Sequence, residues 1–246
     1  LLGGSDDTWG DSVVASRSWE RAQVSLGHFD YRREGFRDGG DIDLTGTRLG
    51  AKFAPAPDTM IHGELGDDDR SGGGVAERFL GRLSVRHAPT VTEEYIVTAG
   101  GQDTRERTLD RLTRAILGFD VGQELEVDTH LHSRELGVLY GTKGTTYALV
   151  AGARTYRENR RQTTLDRLFV SGFPDQLVPG AVVRSTMEHN SAFAYLDLHP
   201  ARWAAVHLGA SYTALDDGEA ASLDRASGKA GVVMNVTPAT TLRLAL

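Results

Sequence analysis

The residues of this sequence that could do chemistry include two histidines in a short charged segment. Asp128, Thr129, His130, Leu131 and His132 follow one another, and in a β-strand the side chains at positions i and i+2 point to the same side. His130 and His132 could therefore share a metal ion, because imidazole nitrogen is a common zinc ligand. The sequence offers no third ligand, so the two histidines are candidate metal ligands without a complete site. We expect no catalytic residue, no resident metal and no cofactor.

A His-x-His pair of this kind resembles the metal pair of amidohydrolases. Those enzymes are built from alternating strands and helices, with further ligands on later strands. This sequence has no segment with a 3.6-residue apolar stripe. The alternative is that the histidines line the polar interior of a β-barrel, beside Glu126 and Arg134, and this favours a protein that is not an enzyme.

Two acidic segments are a second candidate site. Asp67 to Asp69 and Asp216 to Glu219 supply carboxylate oxygens, which Ca²⁺ prefers as ligands. Neither segment has the twelve-residue spacing of an EF-hand loop. Blocks of charge are commonly solvated loops, and we expect that here.

The overall composition excludes several classes of protein. The formal net charge of −7 argues against nucleic acid as a partner, and the absence of cysteine excludes disulfides and thiolate chemistry. No run of about 18 apolar residues is present, so the sequence contains no transmembrane helix. The mean hydropathy of −0.32 is compatible with a transmembrane barrel, because a barrel strand carries its apolar residues only at alternate positions.

Apolar residues alternate with polar ones along most of the chain. In residues 228–246, for example, Val232 and Met234 alternate with polar positions before a Thr-Pro turn, and Leu242 and Leu244 alternate after it. Short turns with Pro or Gly are followed in regular order by long charged loops. This asymmetry is typical of transmembrane barrels, whereas a soluble β-sandwich mixes loop lengths at both ends.

The predicted fold class is all-β, an antiparallel up-and-down transmembrane β-barrel. We expect about 12–13 strands of roughly 8–14 residues, long enough for a tilted strand to cross a bilayer. Residues 1–18 are expected to form a loop or the end of a preceding strand, and residues 19–246 the barrel meander, incomplete at its C-terminal end. A second sheet packed against Leu117, Phe119, Leu125 and Val127 would contradict this fold.

The polar side chains of these strands are predicted to face the barrel lumen. They could form a positive stripe that attracts anions, or pair with carboxylates on neighbouring strands, and pairing is favoured. The predicted lumen-facing residues are Arg78, Arg82, Arg86, Arg114, Asp120, Glu126, Asp128, His130, His132 and Arg134.

The final third of the chain resembles consecutive strands of large bacterial outer-membrane barrels. The resemblance lies in a glycine-containing LGASY strand, a variable loop, and a hairpin of the pattern K-x-G-V…T-P-x-T-T-L-R. The matching residues are Lys229, Gly231, Val232, Thr237, Pro238, Thr240, Thr241, Leu242 and Arg243. The sequence departs from the pattern at Asn235 and Val236. TonB-dependent receptors carry this pattern, as do the barrels behind tetratricopeptide repeats in some outer-membrane proteins.

The resemblance implies a location in the bacterial outer membrane, with the lipid bilayer as one partner and a periplasmic repeat domain or another envelope protein as a second. Three functions stay open at this point. The chain could be a pore or transporter component for export or uptake, or a TonB-dependent receptor barrel. It could also be a non-enzymatic surface β-protein that binds a partner through its long loops.

Overall fold

The computed structural model describes residues 2–3, 8–33, 41–72, 74–116, 119–170, 176–218, 222–237 and 240–246. The side chains of residues 2–3, 112–116, 119–121, 170 and 179 lie outside this description. Every regular element in the described residues is a β-strand, and none of these residues belongs to a helix that could span a membrane. The strands are β1 Leu2–Gly3, β2 Thr8–Ser18, β3 Ala22–Arg33, β4 Ile42–Ala56, β5 Thr59–Ser71, β6 Val75–Thr90, β7 Glu93–Ile116, β8 Phe119–Lys143, β9 Tyr147–Val170, β10 Gln176–Ala201, β11 Ala204–Asp216, β12 Ser222–Thr237 and β13 Thr240–Ala245.

The strands form a single sheet in the order of the sequence. Each of the 13 strands is hydrogen-bonded to its sequence neighbours, and every pair is antiparallel. No crossover or Greek-key connection joins the described strands. The expected up-and-down meander and its strand number are therefore confirmed.

Connections at one end of the sheet are short, as the turn signals predicted. Pro57 and Asp58 join β4 to β5, where Thr59 Oγ1 donates a hydrogen bond to Asp58 Oδ1 at 3.0 Å. Val91 and Thr92 join β6 to β7, and Arg202 and Trp203 join β10 to β11. We call this end of the sheet the short-turn end.

The sheet has no hydrophobic core of its own. Among the described residues no apolar side chain is buried, and many large apolar side chains are more than 40% exposed. A soluble sandwich buries the inner faces of two sheets against each other, but all the described strands belong to one layer. Leu125 and Val127 lie in this single sheet, while Leu117 and the side chain of Phe119 are outside the description.

The strand register separates the sheet into two faces near the short-turn end. Residues directly opposite each other on paired strands lie on the same face, so the register aligns Leu26, Leu49 and Leu65 on three successive strands. It likewise aligns Leu83, Ala99 and Leu136. We call the face with these leucines the apolar face, and the opposite face, which carries Arg82, Glu135 and Arg154, the polar face.

Strands β7 to β10 are much longer than the sequence predicted, at 24, 25, 24 and 26 residues. Residues 102–110, which the sequence predicts as one of the long charged loops, are part of β7, and residues 120–123, predicted as one of the short turns, lie inside β8. Residues 8–18, expected to be a loop or the end of a preceding strand, form β2. Far from the short-turn end polar residues lie on both faces of the sheet, and apolar residues such as Leu125 and Val127 no longer lie on the apolar face although backbone pairing continues.

Candidate functional site on the polar face

The polar face contains two clusters in which one carboxylate is shared by two arginines. The first joins β4, β5 and β6. Arg48 Nη2 donates to Asp68 Oδ2 at 2.7 Å, and Arg78 Nε donates to the same oxygen at 2.9 Å, with a second contact from Arg78 Nη2. The Asp68 side chain is only 7% exposed, against 31% for Arg48 and 42% for Arg78. Two guanidinium groups therefore share one buried carboxylate oxygen.

Glycines make room for this cluster. Gly46 lies directly opposite Asp68, and a Cβ at Gly46 would lie 2.6 Å from Asp68 Oδ1 and would overlap the Phe29 ring. Gly66 lies opposite Arg48, and a Cβ there would overlap the guanidinium group of Arg48. The long arginine side chain can lie flat along the sheet because its neighbour on β5 has no side chain.

The second cluster joins β6, β8 and β9 around Glu135. Arg82 Nη2 lies 3.1 Å from Glu135 Oε1, and Arg154 Nη2 donates to Glu135 Oε2 at 2.5 Å. The Glu135 side chain is 16% exposed. It crosses over Gly100 of the intervening strand, where a Cβ would lie 3.1 Å from Glu135 Oε1. The carboxylate therefore bridges strands that are not all neighbours in the sheet.

Each cluster combines two arginines with one carboxylate, and Glu64 lies directly opposite Arg82 on the same face. Closer to the short-turn end Arg86 pairs with Glu94 in a neutral pair. On β10 and β11 of the same face, His207 Nδ1 lies 2.6 Å from Asp197 Oδ1. The polar face is thus cross-linked by ion pairs, with two arginines in each of the two three-residue clusters.

The ten residues predicted to share one polar face do not all lie there. Arg78, Arg82 and Arg86 of β6 lie on the polar face. The register of β8 places its five predicted residues on the other side, as a continuation of the apolar face beyond Leu136; these are Glu126, Asp128, His130, His132 and Arg134. The side chains of Arg114 and Asp120 lie outside the described residues.

This error has a physical cause. Leu125, Val127 and Leu131 alternate with charged residues. This alternation predicts that they share a face with the leucines of the apolar face. The uninterrupted register from Leu136 places them instead on the face of Glu135. The apolar positions of β8 change faces on the two sides of Leu136, so local alternation in one part of the strand does not report which face is apolar in the other.

The two histidines are engaged by other side chains. His130 Nε2 lies 2.8 Å from Asp103 Oδ1, and His132 Nδ1 lies 3.5 Å from Asp103 Oδ2. Arg134 Nε donates to His132 Nε2 at 3.1 Å, so this nitrogen accepts a hydrogen bond. Among the described residues no group of three or more His, Cys, Asp or Glu residues is arranged to hold a metal ion.

Sequence reasoning did not identify the residues that organise the polar face. The sequence predicts that Asp68 lies in a solvated acidic loop. In the structure Asp68 lies in β5 and is buried by two arginines. Glu135, Arg48 and Arg154 were not singled out. A usable signal was present, because Gly46, Gly66 and Gly100 interrupt strands at the positions opposite these long charged side chains.

Comparisons with known proteins support the fold. A scan against protein-family models finds no match, and a search of curated proteins finds none. Among solved structures, the siderophore receptor PiuA from Acinetobacter baumannii matches with a TM-score of 0.69 and 11% identity, over 95% of this chain and 46% of that one. The copper transporter OprC matches with a TM-score of 0.71 and 12% identity, over 98% of this chain and 42% of that one.

A third match is the ferric citrate transporter FecA in its unliganded form. Its TM-score is 0.65 at 12% identity, over 97% of this chain and 41% of that one. The chain spans less than half the length of each of these three structures. At such low identity the likeness concerns the fold alone. This chain has the barrel-wall fold of TonB-dependent receptors.

Proposed function

We propose that this chain is part of the wall of an outer-membrane barrel that takes up an anionic metal chelate. The apolar face contacts lipid in this proposal, and the polar face lines the lumen. One observation carries it: a single 13-stranded sheet has one apolar face and, among its described residues, no buried apolar side chain. An uncovered apolar face of this size needs an apolar environment, and the bilayer supplies one.

Uptake is favoured over the other two functions by the structural likeness. The matching structures are described as a siderophore receptor, a ferric citrate transporter and a copper transporter. A fold does not by itself define a function, so the polar face must supply a further reason. The arginines around Asp68 and Glu135 suit a ligand with negative charge, because the guanidinium group matches the geometry of carboxylates and phosphates.

The test uses cells that depend on this protein for metal supply. We expect them to accumulate radioactive iron from ferric citrate, which is anionic, and to lose most of this uptake when Arg82 and Arg154 are both replaced by Gln. The double variant R107Q/R157Q, which alters two ion-paired arginines on the same side of the sheet as the apolar face, is the matched control and should leave uptake unchanged. Equal uptake by R82Q/R154Q and by the control would contradict the role of the polar face.

A planar-bilayer recording separates this proposal from an open export pore. An uptake receptor whose lumen is closed at rest conducts little current, whereas an open pore conducts steadily. A large, permanently open conductance from the purified protein would overturn the receptor proposal and favour the pore.

A further inference from the structure

A row of basic side chains crosses four strands on the same side of the sheet as the apolar face. Arg105 of β7, His130 of β8, Arg161 of β9 and Arg184 of β10 are direct cross-strand partners. Adjacent strands lie about 4.8 Å apart, so the four side chains span about 14 Å. We call these four residues the basic row.

The basic row has a defined level above the apolar part of the sheet. On β9 the apolar face carries Tyr147, Leu149, Ala151 and Ala153, and Arg157 follows Tyr147 by ten residues. A tilted strand crosses the hydrocarbon layer in about 9–11 residues, so Arg157 marks the end of the crossing. Arg161 lies four residues farther, about 13 Å along the strand and about 9 Å along the membrane normal at a tilt of about 45°, which is outside the hydrocarbon layer on the headgroup side.

The arginines of the basic row are not neutralised by ion pairs with described side chains. Arg105, Arg161 and Arg184 are exposed, and none of them makes an ion pair with a described side chain. Their neighbours differ in this respect, since Arg107 Nε lies 2.8 Å from Glu126 and Arg157 Nε lies 3.4 Å from Glu188. The carboxylate nearest to His130 is Asp103, which is shared with His132.

The same line of cross-strand partners becomes acidic on the other side of β7. Glu77 is the cross-strand partner of Arg105 without an ion pair between them, and the line continues through Asp69, Thr45, Asp30 and Asp11. Along this line of partners, positive charge is therefore confined to β7–β10, while β2, β3, β5 and β6 carry carboxylates. Surface residues that are only solvated do not need positive and negative charges to be separated along the sheet, whereas a surface that binds an anion does.

We propose that the basic row binds the phosphate groups of anionic lipid in the outer leaflet, while the apolar face below it contacts the acyl chains of the same lipids. The occupant is a lipid rather than a soluble anion because the row continues directly from the apolar face. Exposed arginines beside a bilayer attract anionic headgroups, each by about 1 kcal/mol. The proposal rests on the orientation proposed above, with the apolar face toward lipid.

Binding of lipopolysaccharide to the purified protein in detergent tests the proposal. Arg161→Gln should weaken binding about fivefold, and the triple variant R105Q/R161Q/R184Q about a hundredfold, at about 1 kcal/mol per arginine. Arg160→Gln is the matched control: Arg160 is the adjacent residue, is also exposed, and lies on the polar face opposite Leu131. It should bind like the unchanged protein.

Two further measurements separate phosphate recognition from misfolding and from binding that does not involve phosphate. The variant R105K/R161K/R184K keeps the charge and should retain most of the binding, which also excludes misfolding as the cause of a loss. Lipopolysaccharide with its phosphates removed should bind the unchanged protein as weakly as the triple glutamine variant binds the intact lipid.

Three results would each overturn the proposal. They are equal binding by R161Q and R160Q, equal binding of the dephosphorylated lipid, and displacement of the lipid by inorganic phosphate at equal phosphate concentration. A change in self-association of the triple variant without a change in lipid binding would assign the row to a contact between copies instead. Because this titration involves no transport, failure of the uptake assay and failure of lipid binding are separate results.

Discussion

Replacing Asp68 by Asn removes the charge that holds Arg48 and Arg78 together while preserving the size of the side chain. Asp68 is 7% exposed and accepts hydrogen bonds from both arginines through Oδ2. The substitution leaves two guanidinium groups close together on the polar face without a carboxylate. We therefore expect a loss of stability rather than a change of fold.

The magnitude follows from the burial of the three side chains. Removing one partner of a buried ion pair lowers the free energy of unfolding by about 3–5 kcal/mol. Arg48 is 31% exposed and Arg78 is 42% exposed, so water recovers part of the lost interaction. We expect D68N to lower the free energy of unfolding by about 2 kcal/mol, the buried-pair cost reduced for this exposure.

The assay is urea unfolding of the protein in lipid vesicles, followed by tryptophan fluorescence and by heat-modifiable migration on gels. Asp67→Asn is the matched control, since Asp67 is the preceding residue, is exposed, and lies on the opposite face of β5. Surface substitutions of this kind change stability by about 0.5 kcal/mol or less. Equal midpoints for D68N and D67N would refute the claim that Asp68 organises the polar face.

Three other substitutions test separate parts of the structure. Gly46→Ala should destabilise the sheet by about 1–3 kcal/mol, because its Cβ would overlap Phe29 and crowd Asp68. Gly63→Ala, at a position with open space around it, should not, and the urea midpoints of the two variants check this difference. Leu136→Lys on the apolar face should cost about 2–4 kcal/mol when the protein is unfolded from a bilayer, while Ser133→Lys on the polar face should cost less. His132→Ala should leave zinc affinity in calorimetry unchanged, because Arg134 and Asp103 already occupy the ring nitrogens; a clear loss of zinc binding would contradict this assignment.

The sequence was sufficient to predict the part of the sheet near the short-turn end. There the alternation of Leu83 and Val85 with Arg82 and Ser84 reflects two different environments, and Pro57 interrupts strand pairing at a turn. The up-and-down order follows from short turns, since a two-residue connection can only join neighbouring antiparallel strands. These features are local, and local sequence records them.

The far parts of β7 to β10 could not be predicted in the same way. Residues such as Arg107 and Glu126 lie on a polar surface, and their 2.8 Å ion pair across two strands stabilises a ladder that has no apolar face. A charged segment of this kind is indistinguishable from a loop in sequence. The shared carboxylates have the same origin, because Asp68 meets its partners only through pairing of β4, β5 and β6.

The most direct test of the central claim is the environment of single cysteines along β8, since the sequence contains no cysteine. Each variant carries one cysteine, labelled with a fluorophore, and is measured in vesicles whose acyl chains carry a quencher. Labels at positions 136 and 138 on the apolar face should be quenched, while labels at 137 and 139 on the polar face should not, and labels at 130 and 132 should be reached by water-soluble quencher instead. Equal quenching at even and odd positions from 136 to 139, or the reverse pattern, would contradict a barrel wall whose apolar face meets lipid.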